Sequence, residues 1–468
     1  MLRGVSYVDD RPSAEYYEWF SQRHPGEWVR HDLLADVYDP PGVQSAVRCE
    51  PHIGRGQQGG TGELISYHPA VEELLACAQA MQGELIGRRE ETEKLTHYPD
   101  RTHQDFLDAG FYRMLVPRRY GGLECDLPAY SRIIMALARG CPSSAWALAL
   151  GAGHALQAGS WLPKEAQDEV FGTEYVCIAS FTMPVGVASR VDGGWEIDGT
   201  WPCSSGAPHA TFYMGHTLAP PQREGEEPGP PMLFFAPKGS WTMLDDWGDT
   251  LGLGGTGSNS VRFEHAVLPD HLVVPETMLL SVGGAGDSEG YRLHGNPMYT
   301  GRSKGFFGME IASVAVGIAK AALDEYDVLL RSRRTTMPPI TLRSDDPDYQ
   351  RWFGTAVSRT AVAEAAVVHS AQRYMELCRR SVQDGVEFSA ADDLLLISMN
   401  HEAVQLCWDV VQAIVFRTAG SSETKGGKRL RQLFGDMAMI WSHAFSVRTD
   451  FSARELTQAH IAETPTKR

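Results

Sequence analysis

Positive charge is scarce in this 468-residue chain: 42 Lys and Arg stand against 59 Asp and Glu, a formal net charge of −17. That excess repels phosphate backbones and anionic lipid surfaces, so neither nucleic acid nor a membrane is an expected partner. Small molecules and other proteins remain. No run approaches eighteen consecutive apolar residues. The first twenty, MLRGVSYVDDRPSAEYYEWF, carry Asp and Arg where a secretion signal needs an apolar segment, so a cytoplasmic location is expected. The eight cysteines include no C-x-x-C pair, which argues against a disulfide framework or a zinc ribbon and leaves buried free thiols as the expectation. His401-Glu402 lacks the second histidine of a zinc helix and no other histidine cluster has ligand spacing, so no metal site is expected. What is present is a globular composition, 43% hydrophobic and 9% aromatic, over a length that favours two or three packed substructures.

The hydrophobic period changes twice along the chain. Residues 1–66 show no sustained period and end near the glycine-rich GRGQQGGTG, as an N-terminal arm or extension would. Over 67–174 apolar residues such as Val71, Leu74, Leu75, Ala78 and Leu85 recur at helical spacing, predicting a helical domain. The period then drops to two. Asp192-Gly193-Gly194 is a hairpin turn signal, followed by Trp195, Ile197 and Trp201 on one face and Glu196 and Asp198 on the other. Further short strands at 212–216, 232–236 and 261–263 complete a compact antiparallel β-domain over 175–277. A loose linker, 278–300, precedes a second helical region, 301–468, whose Ala- and Val-rich stretch at 354–382 suits a closely packed bundle. The order is α, β, α.

Three strings imitate nucleotide or nucleophile motifs. Gly54, Gly56, Gly59 and Gly252, Gly254, Gly257 both spell G-x-G-x-x-G, but neither has the strand before and helix after that a dinucleotide fold requires. Gly301-Arg302-Ser303-Lys304-Gly305 spells G-x-S-x-G with no apolar strand leading into it, so a helix start is expected there, not a nucleophile elbow.

The α, β, α order together with four strings resembles the acyl-CoA dehydrogenase fold and, within it, the flavin-dependent monooxygenases (group D hydroxylases) that receive reduced flavin from a separate reductase. The strings are LDAGFYRMLVPRRYGG at 107–122, SFTMPVGVA at 180–188, GGWEIDGTWPCSSGAPHA at 193–210 and WGDTLGLGGTGSNSVRFEHAVLP at 247–269. The third is the most discriminating, because it is similar to the monooxygenase branch's W-x-x-S-S-G-x-x-H-A. The implied class is α+β: an N-terminal helical domain, a central antiparallel β-domain and a C-terminal helical bundle. Ser204 or Ser205 matches the position where a serine hydroxyl meets flavin N5. Thr182, Trp201, Ser204 and Ser205 would lie on the flavin side. His154 resembles a pocket histidine, and Arg331, with Arg333 and Arg334, would reach flavin phosphate across a homodimer or homotetramer interface. The chain departs from the family pattern at Gly254 and Gly435, where arginine is common.

Chemistry discriminates between the branches. A dehydrogenase needs a carboxylate base to remove the α-proton of a thioester. After Asp436 the C-terminal stretch offers no carboxylate before His443. An imidazole suits deprotonating a phenol or amine, or stabilising a flavin C4a-hydroperoxide. The expected activity is therefore hydroxylation of an aromatic or amine-bearing small molecule, using O2 and FMNH2 or FADH2, with His443, His154, Ser204 and Ser205 as catalytic candidates. With no credible nicotinamide site in the chain, a partner flavin reductase is implied. The alternatives are an acyl-CoA dehydrogenase or oxidase with Glu310 as base, and a non-catalytic homologue.

Overall fold

A computed structural model of the chain describes residues 69–463, save Gln222 and Glu224. The N-terminal arm and the Gly54, Gly56, Gly59 string lie outside the described residues. Among the described residues seven α-helices come first: α1 (Pro69–Ala80), α2 (Gln82–Leu95), α3 (Asp100–Ala109), α4 (Leu127–Gly140), α5 (Pro142–Gly153), α6 (Ala155–Trp161) and α7 (Lys164–Phe171). Asp126 starts α4 by accepting a hydrogen bond from the Ala129 amide at 2.8 Å, with Pro128 in the first turn. Nearly every residue of α5 is buried, since PSSAWALALGAG presents no charged face.

The strands are β1 (Ile178–Val187), β2 (Ser189–Val191), β3 (Gly194–Trp201), β4 (Phe212–Leu218), β5 (Pro231–Pro237), β6 (Thr242–Met243), β7 (Val261–Leu268) and β8 (Val273–Val274). The hairpin at 192–194 forms as expected, with Gly193 at φ +90°. One expectation needs correction: the domain is not purely antiparallel. Two four-stranded sheets form, β1-β4-β5-β8 and β2-β3-β7-β6, and β1 pairs parallel to β4. The β2–β3 hairpin carries the chain into the second sheet before it returns as β4, so the first sheet receives two strands running the same way. Alternating hydrophobicity identifies a strand but not its neighbour. Ile197, Trp201, Tyr213, Phe234 and Phe263 fill the space between the sheets.

The 278–300 segment is less loose than its glycines suggest. It contains α8 (Glu289–His294), capped by Ser288, and its Gly283, Gly284 and Gly286 pack against the backbone of Gly301, Phe388 and Ser381. Beyond it run α9 (Ser303–Ser332), α10 (Pro347–Gln383), α11 (Ala390–Trp408), a π-helical turn at 409–416, α12 (Arg429–Ser442), α13 (Ala444–Val447) and α14 (Thr449–Glu463). Ser303 opens α9 as the helix-start reading anticipates. The carboxylate of Asp393 in α11 accepts the Gly305 amide at 2.7 Å and the Lys304 amide at 3.3 Å, placing negative charge at the positive end of α9. Burial still pushes Asp393 up to about 6. By length and composition α9 is apolar enough to cross a membrane, a property the search for unbroken apolar runs misses, and most of it is buried in the protein. Among the described residues, six cysteines carry free thiols, five of them buried and Cys203 exposed; Cys77 instead is disulfide-bonded, contrary to the free-thiol expectation. Spacing rules detect local pairs and miss a bond closed by the fold.

A bidentate ion pair ties the first helical layer to the second: Arg139 at the end of α4 meets both oxygens of Asp324 in α9 at 2.7 Å. Both side chains are largely buried. Asp324→Ala removes the carboxylate that both guanidinium nitrogens meet and is expected to destabilise the protein by about 3–5 kcal/mol, read as a lower urea midpoint. A change within experimental error would show that water reaches the pair.

Candidate active site

Strand β1 sets one wall of the site. Ala179 and Phe181 pack into the β core, so Ser180 and Thr182 point to the other face, against which α5 lies. The Ser180 hydroxyl is buried without a partner, and Thr182 is half-buried. A second wall comes from the turn after β3. It is stitched to the glycine-rich loop before β7 by Ser204 N–H to Asn259 O at 3.1 Å, Gly206 N–H to Thr256 O at 3.0 Å and Ala207 N–H to Gly257 O at 3.2 Å.

The two neighbouring serines diverge. Ser204 is fully buried, its hydroxyl 3.2 Å from Tyr213 Oη, facing the β core. Ser205 turns toward the helices, where Trp146 Nε1 of α5 donates to its Oγ at 3.0 Å. From Ser205 a row of hydroxyls continues: Ser205 Oγ to Ser258 Oγ at 2.8 Å, Ser258 Oγ to Thr256 Oγ1 at 2.7 Å, and Thr256 Oγ1 to the Leu253 carbonyl at 2.9 Å. Trp146 also meets His443 edge-on, with ring centroids 5.4 Å apart. The structure thus joins His443 and Ser205, far apart in sequence, through one indole.

The two candidate histidines take opposite tautomers. His443, at the C-terminal end of α12, accepts the Phe445 amide on Nδ1 at 3.2 Å, so its neutral ring carries the proton on Nε2. Desolvation pushes it down to about 4. The ring is also exposed to water, and the lowered value leaves it neutral at pH 7. His154, between α5 and α6, donates Nδ1–H to the Ile178 carbonyl at 2.7 Å, leaving Nε2 as the acceptor. Its burial also pushes it down to about 4.

Other candidates fall elsewhere. Trp201 is wholly buried in the β core and donates Nε1–H to the His216 carbonyl at 3.0 Å. Trp201 and Ser204 have no exposed surface and lie behind the turn that carries Ser205. Arg331 lies exposed in the last turn of α9, paired with Asp327 at 2.8 Å. Glu310 is sealed in α9: Tyr130 Oη is 3.1 Å from Oε1, and a Cβ on Gly153 would come within 1.8 Å of the same atom. Burial holds its carboxyl well above the usual range, and its full enclosure leaves it no access to a substrate, so it is unsuited to act as a base.

Of the two departures from arginine, Gly435 has a steric cause: a Cβ on it would sit 2.4 Å from the Leu251 carbonyl oxygen, and one on Gly252 would sit 2.1 Å from the Gly435 carbonyl carbon, so loop and α12 meet backbone to backbone; a Cβ on Gly254 would instead meet the Glu93 carboxylate at 2.6 Å. The neighbouring Asp436, fully buried, accepts the Leu253 amide at 2.7 Å. Sequence reasoning missed Trp146, Thr256 and Ser258. Trp146 reads as one more apolar residue of α5, and SNS at 258–260 reads as the approach to a strand. His401 was noticed only as half of a zinc pair; both its ring nitrogens are buried without a partner, and its ring lies 4.1 Å from Phe445.

The buried unpartnered Ser180 hydroxyl, the Ser205 oxygen and the Trp146 ring fit the polar edge and flat face of an isoalloxazine. Comparison with known proteins points the same way. Family models described as acyl-CoA dehydrogenase, N-terminal domain and C-terminal domain match residues 69–169 and 309–448, together just over half of the chain. The chain is 29% identical to the indole-3-acetate monooxygenase of Pseudomonas putida over 82% of its own length and 94% of that protein's. It is 31% identical to the flavin-dependent monooxygenase oxygenase subunit HsaA of Rhodococcus jostii (strain RHA1), over 40% of this chain and 48% of that one. Among solved structures, XiaF from Streptomyces sp. in complex with FADH2 and glycerol shares the fold with a TM-score of 0.76 at 22% identity, covering 85% of this chain and 97% of that one.

Two outcomes follow from the placement. Trp201→Phe is expected to lower the denaturation midpoint through the cavity and the lost indole bond, and to leave the dissociation constant for reduced FMN or FAD unchanged; a large loss of flavin affinity in a folded variant would put Trp201 back at the site. His154, His209, His216 and His401 are all buried and pushed down to about 4. Their folded values lie below the unfolded one of about 6.5, so the unfolded chain binds more protons between the two. Stability is complete above about pH 6.5 and falls toward pH 4, by up to about 1.4 kcal/mol per pH unit for each group. A urea midpoint that holds constant from pH 7 to 5 would contradict this.

Proposed function

The chain belongs to the acyl-CoA dehydrogenase superfamily, and on that premise we propose that it is the oxygenase of a two-component flavin-dependent monooxygenase acting on aromatic small molecules. One observation carries the reading: an imidazole, an indole and a hydroxyl are brought together, while the acid available to a dehydrogenase, Glu310, is fully enclosed. The relatives' names, a flavin-dependent oxygenase subunit and an indole-3-acetate monooxygenase, agree with it.

Reduced flavin, when bound, supplies the two electrons that split O2 into one oxygen atom for the substrate and one for water. The residues of this chain bind, orient and exclude water. Ser205, Ser180 and Thr182 hold the polar edge of the ring, and Trp146 fixes Ser205. His443, protonated on Nε2, donates a hydrogen bond into the cleft, and His154, with Nε2 unprotonated, accepts one. That division refines the expectation that His443 deprotonates a phenol: its Nδ1 is engaged by the Phe445 amide, so the accepting role passes to His154. A glycine-rich motif with nicotinamide-binding context is missing from the described residues, since Gly252, Gly254 and Gly257 form a loop that leads into β7. A partner reductase would supply the electrons, as the term oxygenase subunit implies for HsaA.

Assembly into a homodimer or homotetramer and a cytoplasmic location belong to the same proposal. Val362 of α10, Leu395 of α11, and Phe451 and Ile461 of α14 are exposed apolar side chains on the C-terminal helices, as a subunit interface would require. Arg331 would meet flavin phosphate only in such an assembly.

The purified protein, supplied with chemically reduced FMN or FAD and O2, is expected to hydroxylate members of a panel of phenols and indoles. In His443→Ala, product formation should fall by roughly 10²-fold while O2 consumption is diverted to hydrogen peroxide. Anaerobic bleaching of bound oxidised flavin by an acyl-CoA would overturn the proposal in favour of a dehydrogenase.

A further inference from the structure

The row of hydroxyls behind Ser205 has a fixed direction. Each hydroxyl owns one hydrogen. The Leu253 carbonyl can only accept, so the hydrogen of Thr256 Oγ1 points to it across 2.9 Å. The 2.7 Å contact between Ser258 and Thr256 must then use the hydrogen of Ser258, and the 2.8 Å contact between Ser205 and Ser258 must use that of Ser205. At the other end, indole N–H can only donate, so Trp146 occupies one lone pair of Ser205 Oγ. Ser205 is left with a single unused capacity, one lone pair, and no hydrogen to give. The anchor is rigid: the Leu253 amide is held by buried Asp436 at 2.7 Å, and Ser205, Ser258 and Thr256 are all buried.

We infer that Ser258 and Thr256 are positioning residues that lock Ser205 as a hydrogen-bond acceptor and thereby make the site select reduced over oxidised flavin. This rests on the flavin reading above, with Ser205 facing N5. Reduced flavin carries a hydrogen on N5 and donates to the free lone pair. Oxidised flavin presents a lone pair at N5, which the locked oxygen cannot satisfy. A site with a freely rotating serine would serve both forms, donating to one and accepting from the other. The selectivity lets the oxygenase capture the form its reductase releases and discharge the oxidised form after turnover. By linkage the preference must appear equally as a lowered affinity for oxidised flavin and a raised reduction potential of the bound ring.

The test compares dissociation constants of oxidised and dithionite-reduced FMN and FAD, measured by anaerobic equilibrium dialysis on the full chain. The wild type is expected to bind the reduced form at least roughly tenfold more tightly, the scale of one hydrogen bond gained against one acceptor left unmet. In Ser258→Ala, Ser205 loses its acceptor and is free to donate. The ratio of the two constants should fall toward unity, chiefly through tighter binding of oxidised flavin. Thr256→Val removes the end of the row without touching Ser258 and should move the ratio the same way, which guards against misfolding of either variant alone. A merely structural role would weaken both forms together and leave the ratio in place. An unchanged ratio in folded variants that still bind reduced flavin overturns the polarity lock while sparing the proposed function. Failure of the wild type to bind reduced flavin at all overturns both.

Discussion

The site is built on the backbone contact between Gly252 and Gly435, where neither residue has room for a Cβ. It brings the glycine-rich loop of the β-domain directly onto α12 of the C-terminal bundle. Because the two backbones touch, Asp436 can take the Leu253 amide, and Leu253, held at φ +53°, aims its carbonyl at Thr256. The rest of the site inherits this geometry. Thr256 orients Ser258, Ser258 orients Ser205, and Ser205 receives Trp146, which in turn packs on His443. All three domains contribute to one small polar structure. An arginine at position 435 would hold the loop away from the helix, so its loss here is compensated by shape.

The site separates charge from polarity. Its carboxyl groups are hidden: Glu310 is enclosed against Tyr130 and Gly153, and Asp436 is buried with one oxygen on the Leu253 amide and the other unpartnered. What reaches the cleft is neutral and directional, namely an indole, a serine and a histidine whose tautomer is set by the Phe445 amide. Neutral groups fixed by second partners lose little orientation when a ligand arrives, whereas an ionised carboxylate would invite proton abstraction from an acidic C–H. The same fold can thus host dehydrogenation or oxygenation according to which groups the packing leaves uncovered.

Much of the organisation was legible in the residues. Helical spacing from Val71 to Leu85, the Asp192-Gly193-Gly194 turn and the helix start at Ser303 all appear as expected, because each depends on a few neighbouring side chains. The parallel pairing of β1 with β4 was not legible, since alternation says nothing about which strand lies alongside. Within the W-x-x-S-S-G string, the residues alone do not tell which side chains face which way. Trp201 and Ser204 face the β core while Ser205, one peptide bond further, faces the helices. Trp146, Thr256 and Ser258 carried no signal at all, being an apolar residue in an apolar helix and two hydroxyls before a strand.

Taken alone, the residues determine the period-driven elements, their α, β, α order and the kind of chemistry the C-terminal stretch can support, because those follow from spacing and from the absence of a carboxylate between Asp436 and His443. Only the tertiary structure decides which serine is presented, which histidine donates and which accepts, and in which direction a hydroxyl hydrogen points. Those properties depend on partners outside the local stretch, from Ile178, 24 residues beyond His154, to Asp436, 183 residues beyond Leu253. A hydrogen bond's polarity belongs to the pair and its surroundings, and is fixed only when the fold has brought every member of the row together.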